Sequence, residues 1–238
     1  MMNSGISFII PCYNEEQFIR DCVRSIKEDT QGMPNIEIIV IDNNCTDATA
    51  DIARDEGAIV ISEEQKGVVF ARQRGYLESK YDLIANIDAD SRIPLGWTKT
   101  ALRTMSDESV VAVTGPLIYD DASLKLRFAV RLYYYLAYIS CLLIGVFLQG
   151  GNCLIRKSAL DELGGYDTSV AFYGEDTMTA KRLERYGKIK FNMKLNLFSS
   201  ARRLEKQGVL KTTWLYLVNY LYVTVKNKPH TNEYKDFR

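Results

Sequence analysis

Asp88-Ala89-Asp90 places two carboxylates on alternate residues of a stretch read as extended, so both side chains leave the backbone on one side. Such a pair makes a seat for Mg²⁺ or Mn²⁺, a cation held by one or two carboxylates that shares its other positions with phosphate oxygens. A bare Asp-x-Asp is also common in turns, where it only caps or solvates, so its position decides the reading. Asp88 and Asp90 directly follow the apolar run 83–87. Asn14 and Glu15 follow the run 6–11 in the same way, and Asp42 and Asn44 follow 36–41.

The elements that must position these groups alternate along the first 115 residues. Short apolar runs at 6–11, 36–41, 58–61, 83–87 and 110–114 read as buried strands. Between them, apolar residues recur at helical spacing after residue 18, from Asp47 to about Glu56, over 68–80 and over 96–105. Asn14-Glu15-Glu16-Gln17 predicts an N-cap for the first of these helices, and Asp47 one for the second. Strand–helix alternation of this kind predicts an α/β fold with a mostly parallel sheet flanked by helices. Ligands of such sheets bind beyond the carboxyl ends of the strands, where the polar residues above fall.

The chain has 238 residues, with 30 Lys plus Arg against 30 Asp plus Glu. Its 47% hydrophobic content supports one large core, and the absence of a basic excess argues against nucleic acid as a partner. The five cysteines (Cys12, Cys22, Cys45, Cys141 and Cys153) form no CxxC pair, which points to a reducing cytoplasm. The short run 6–10 has no basic flank, so no signal peptide is expected. GxGxxG, the P-loop, GxSxG and HExxH are all missing, and His230 stands alone in a polar tail, which leaves little room for a His-based hydrolase or zinc enzyme.

Taken in order, Pro11-Cys12-Tyr13-Asn14-Glu15-Glu16, Ile41-Asp42-Asn43-Asn44-Cys45-Thr46-Asp47, Lys66-Gly67 with Ala71-Arg72 and Gly75, and Asp88-Ala89-Asp90 resemble the motifs of family 2 glycosyltransferases. Gly150-Gly151-Asn152, Gly164-Gly165-Tyr166-Asp167 and Tyr173-Gly174-Glu175-Asp176 extend the resemblance to about residue 190. It implies a GT-A, Rossmann-like fold. Residues 1–200 would form one catalytic domain, with a nucleotide-sugar half (1–115) and an acceptor and base half (116–200). Residues 201–238 would be a helical C-terminal extension.

The resemblance also implies roles. Pro11, Tyr13, Asn14 and Glu15 would line the base and ribose with Asn44 nearby, and Asp42 would accept a hydrogen bond from the base. Lys66 and Arg72 would stand near the nucleotide and its phosphates. Asp88 would lie nearest the ribose, Ala89 would count among the residues binding the nucleotide-sugar, and Asp90 would ligate Mg²⁺ or Mn²⁺ directly, with Asp88 beside it. Asp176 would be the general base, with Glu175 next to it at the acceptor. The implied reaction is an inverting, metal-dependent transfer from a UDP- or GDP-sugar to a saccharide or lipid-linked hydroxyl. A helix predicted over 177–186 places Asp176 at its N-terminus, where the helix dipole favours the ionised carboxylate.

No His follows Asp176 until His230, although many relatives carry one there. Arg202 and Arg203 stand where a loop closing on the diphosphate is expected; a solvated basic turn is the competing reading. Residues 132–148 carry no charge and include Tyr133, Tyr134, Tyr135 and Tyr138, and a second aromatic tract holds Trp214, Tyr216, Tyr220 and Tyr222. The segments 127–148 and 209–226 are therefore expected at a membrane surface, without crossing it, on its cytoplasmic face, or at a homodimer contact. The competing functions are a nucleotidyltransferase, against which the missing Gly-rich phosphate loop counts, and a nucleotide-sugar-binding subunit without activity.

Overall fold

The computed structural model describes residues 4–144, 147–170 and 174–208, together with 215, 218–219 and 222–223. The tract 209–226 is otherwise outside the described residues, as are Tyr173 and His230. β1 (Ile6–Cys12), β2 (Ile36–Asp42), β3 (Ile59–Ser62) and β4 (Leu83–Ile87) alternate with α1 (Ile19–Asp29), α2 (Thr49–Asp55) and α3 (Val68–Glu78). β5 (Ser91–Arg92), α4 (Trp97–Met105), β6 (Val110–Thr114), β7 (Leu117–Ile118) and α5 (Leu124–Ile144) follow. The described elements close with β8 (Asn152–Arg156), α6 (Lys157–Leu163), α7 (Glu175–Leu183), β9 (Lys188–Phe191), β10 (Leu197–Ser199) and α8 (Arg202–Gln207).

A seven-stranded sheet has the order β3-β2-β1-β4-β8-β6-β9, and β5-β10-β7 form a small second sheet. β1, β2, β3 and β4 pair in parallel, as do β6 and β9; β8 runs antiparallel to both β4 and β6. The strands are near-continuous apolar runs because helices cover both faces: Phe8 and Ile10 pack into one core, Ile9 and Ile41 into the other. α1 buries Ile19, Cys22, Val23 and Ile26, the i, i+3, i+4, i+7 stripe of an amphipathic helix. α3 lies so close to β1 that a Cβ on Gly75 would overlap the Ile9 side chain.

The predicted α/β class and all five N-terminal strands are present, with boundaries shifted by a residue or two. The fourth and fifth of these strands, β4 and β6, are separated in the sheet by β8. Asn14 does not cap α1, which begins after Phe18; Asn14 instead takes a left-handed conformation (φ 53°) and spends its side chain on the next loop.

β1 sends the chain to β2 and β3 on one side, and β4 then returns on its other side. The carboxyl ends of β1 and β4 therefore flank a topological switch point, where open α/β sheets bind their ligands. The antiparallel sense of β8 pairs Ile87 with Asn152, which brings Gly150 and Gly151 to the same edge.

Candidate active site

The loops after β1 and β2 are joined by hydrogen bonds. Asn14 Oδ1 accepts from the Thr46 amide at 2.8 Å, the Asn14 amide donates to Cys45 Sγ at 3.3 Å, and the Glu15 amide donates to Thr49 Oγ1 at 2.7 Å. Asp42, level with Cys12 in the sheet, accepts from the Cys45 amide at 2.8 Å. Asn43 ties in the third loop, donating to the carbonyls of Glu63 and Gln65 and accepting from the Gly67 amide. Asn44 (φ 70°) is exposed and donates to the Glu63 and Glu64 carbonyls. The Lys66 ammonium is thereby held 3.8 Å from the centroid of the Tyr13 ring. Pro11, Tyr13, Asp42 and Lys66 thus share one rim. Sequence reasoning passed over Asn43, whose signal was a second Asn behind the strand end.

Asp88-Ala89-Asp90 is a turn rather than an extended stretch: the Ser91 amide donates back to the Asp88 carbonyl at 3.0 Å, and Ala89 is buried. The two carboxylates accordingly meet different cations. Asp88 Oδ1 accepts from Arg72 Nη2 at 3.2 Å, and Asp90 Oδ2 accepts from Arg202 Nη2 at 3.2 Å. Arg202 also donates to both carboxylate oxygens of Glu15 at 2.5 Å, and Glu15 is buried beneath it. Burial alone would lower the pKa of Arg202, but Glu15 and Asp90 together raise it. Arg203 is partly buried beside it.

Arg72, expected near the nucleotide and its phosphates, is buried, and its guanidinium contacts Glu175, Asp176 Oδ1 at 3.3 Å and Asp88. Glu175 and Asp176 form the first turn of α7, after Gly174 in the left-handed conformation (φ 87°). The Asp176 side chain is 27% exposed against 9% for Glu175, so Asp176 is the more open of the two carboxylates. Burial pushes the Glu175 carboxyl well above the ordinary range; the Asp176 charge adds to this and Arg72 opposes it. Of the three carboxylates around this guanidinium, Glu175 is the most deeply buried.

Gly150 and Gly151 make room for this cluster. A Cβ on Gly150 would overlap Asp176 Oδ1, and one on Gly151 would overlap Asp88 Oδ2. Behind it, Gln73 accepts from the Tyr166 amide at 2.7 Å and Asn86 donates to the Tyr166 hydroxyl at 2.7 Å, which anchors the Gly164-Gly165-Tyr166 turn. Asp167 is occupied by Ser169.

Among the described residues no three His, Cys, Asp or Glu side chains are grouped to hold a metal by themselves. The donor set still fits Mg²⁺ or Mn²⁺, which need only one or two carboxylates when phosphates complete the shell. The Arg202 guanidinium on Asp90 and Glu15 marks that locus as one that binds positive charge.

The architecture is that of the GT-A glycosyltransferases. It resembles the mannosyltransferase PcManGT from Pyrobaculum calidifontis in complex with GDP-Man and Mn²⁺, with a TM-score of 0.71 at 20% identity over 91% of this chain and 61% of that one. It likewise resembles glucosyl-3-phosphoglycerate synthase from Mycobacterium tuberculosis in complex with Mn²⁺ and UDP-glucose, with a TM-score of 0.67 at 20% identity over 96% of this chain and 81% of that one. Residues 7–164 match the glycosyl transferase family 2 pattern, and the chain belongs to that family. Curated relatives include glycosyltransferase AglE of Haloferax volcanii, 33% identical over 46% of this chain and 38% of AglE. The poly-beta-1,6-N-acetyl-D-glucosamine synthase of Staphylococcus epidermidis is 28% identical over 70% of this chain and 43% of the synthase. The chain thus spans less than half the length of these relatives.

Proposed function

We propose that this protein transfers a sugar from a nucleoside-diphosphate-sugar, a UDP- or GDP-sugar, to an acceptor hydroxyl with inversion at the anomeric carbon. The observation that carries this reading is Arg72, whose one guanidinium gathers Asp88 from the strand-end turn and Asp176 from α7. Residues 1–115 supply the donor side: the Tyr13, Asp42 and Lys66 rim for the nucleoside and Asp88 at the ribose. Residues 116–200 supply the base.

Asp176 accepts the proton of the attacking hydroxyl, as a carboxylate within hydrogen-bond reach does in general-base catalysis. Arg72 keeps it oriented. With the base on one face of the sugar and the diphosphate on the other, one displacement inverts the anomeric centre. Asp90, with Asp88, would hold Mg²⁺ or Mn²⁺, which when bound neutralises charge developing on the leaving diphosphate. Arg202 would have to leave Asp90 at that point, and its planar donors suit a diphosphate.

Thermal shift across nucleoside diphosphates and nucleotide sugars, with and without Mn²⁺, tests the donor class through ligand linkage. NMR of the product's anomeric configuration tests the stereochemistry. Stabilisation by one diphosphate nucleotide only with metal is expected; retention at the anomeric carbon would overturn the single displacement.

A further inference from the structure

We propose that the outward face of α5 docks this protein on an anionic lipid bilayer. α5 buries Tyr134 and Ala137, and Tyr134 and Tyr138 each lie 6.2 Å from the Phe191 ring. On the helical wheel, Leu124, Phe128, Leu132, Tyr135, Leu136 and Ile139 fall in an arc of about 120°, opposite that packed side. All six are exposed, Phe128 at 72% and Leu136 at 59%, so the helix presents an apolar stripe, with Lys125 at its N-terminal end, away from the body of the protein.

Charge selects the occupant. Lys125, Arg127 and Arg131 are exposed along the N-terminal half of this helix, and residues 124–144 contain no Asp or Glu. The nearest acids are engaged elsewhere, Asp120 with Arg92 and Asp121 with Ser200 and Ala201. A second copy seated on the same stripe would offer no acid of its own helix to meet these cations. Phosphate-bearing headgroups suit them, while the stripe enters the acyl boundary and the basic side chains reach back to the surface. Packing of one side against Phe191 makes this a helix lying in the interface, and among the described residues no helix is long and apolar enough to cross a membrane. The helix leads towards Gln149, whose Oε1 lies 3.3 Å from the Tyr134 hydroxyl, immediately before Gly150 and Gly151. Docking therefore holds the candidate active site beside the bilayer.

Flotation of the 238-residue chain with phosphatidylcholine–phosphatidylglycerol vesicles, against phosphatidylcholine alone, tests the inference. Binding to the anionic vesicles, weakened by salt, is expected. Phe128→Glu with Leu132→Glu should abolish flotation while leaving circular dichroism and metal-dependent nucleotide thermal shifts unchanged, since both side chains are exposed. Arg127→Gln with Arg131→Gln should weaken binding by about thirtyfold. Absence of flotation by the folded parent, equal flotation by the Phe128→Glu/Leu132→Glu variant, or a solution dimer dissolved by Phe128→Glu would each overturn it. The nucleotide thermal shifts report separately on the glycosyl-transfer reading, so the two can fail independently.

Discussion

Arg202 Nη2 rests 3.2 Å from Asp90 Oδ2, so a side chain from near the end of the described residues covers the carboxylate proposed to hold a metal. The same nitrogen neutralises buried Glu15. Arg202→Met should lower the stability of the ligand-free protein by about 1–3 kcal/mol, the cost of leaving a buried acceptor without its charged donor. Mn²⁺ should then stabilise the variant more than the parent, because its site no longer competes with a guanidinium. Denaturation with and without Mn²⁺ checks this, and equal stabilisation of both proteins would remove Arg202 from the metal locus.

Arg72 neutralises acids from two separate parts of the chain. Arg72→Met should cost about 3–5 kcal/mol in unfolding free energy, as for a buried charge deprived of its partner. Adding Glu175→Gln should recover part of the loss, because one of the orphaned carboxyls is then absent. Strict additivity in a double-mutant cycle would contradict the shared-cation arrangement.

Asp176→Asn should leave donor affinity near that of the parent and reduce sugar transfer by about two to four orders of magnitude, the range for a general base. Asp90→Ala should instead abolish the metal-dependent part of nucleotide binding. If donor affinity fell in step with turnover in Asp176→Asn, Asp176 would be a binding residue.

The raised Glu175 pKa gives stability a definite pH dependence. A carboxyl whose folded pKa lies above its unfolded value holds its proton in the fold after the unfolded chain has released it. Its contribution is complete below the ordinary value of 4.5 and is lost as pH rises towards the folded value. Glu175→Gln lacks this dependence. Urea unfolding across roughly pH 4–8 should show the parent losing stability relative to the variant as pH rises; parallel curves would mean Glu175 is ionised in the fold.

The paired glycines separate the two halves of the site. Gly150→Ala should push Asp176 aside and lower turnover more than donor affinity, whereas Gly151→Ala should displace Asp88 and weaken donor binding first. Each should cost about 1–3 kcal/mol of stability by overpacking. Crossed effects, read from kcat and from donor Kd, would show that the two glycines do not divide the site in this way.

The five N-terminal strands and the polar residues at their carboxyl ends were legible in the amino-acid sequence, because burial on both sheet faces demands unbroken apolar runs and the chain turns polar where it leaves the sheet. Asp42 and Asp90 stood out as candidates for that reason, Asp176 only by its place in the motif order, and Tyr133–Tyr138 marked α5 as unusual. Tertiary structure alone decided which charges meet. Arg72 and Glu175 are separated by 103 positions, and Arg202 and Asp90 by 112, so no local period relates them. Nor does a short apolar run reveal its neighbours. Asn152–Arg156 is as apolar as many strands, but only its antiparallel insertion between β4 and β6 carries Gly150 and Gly151 to Asp176 and Asp88. Strand pairing is settled by long-range packing, and it is what surrounds the buried Arg72 guanidinium with Asp88, Glu175 and Asp176.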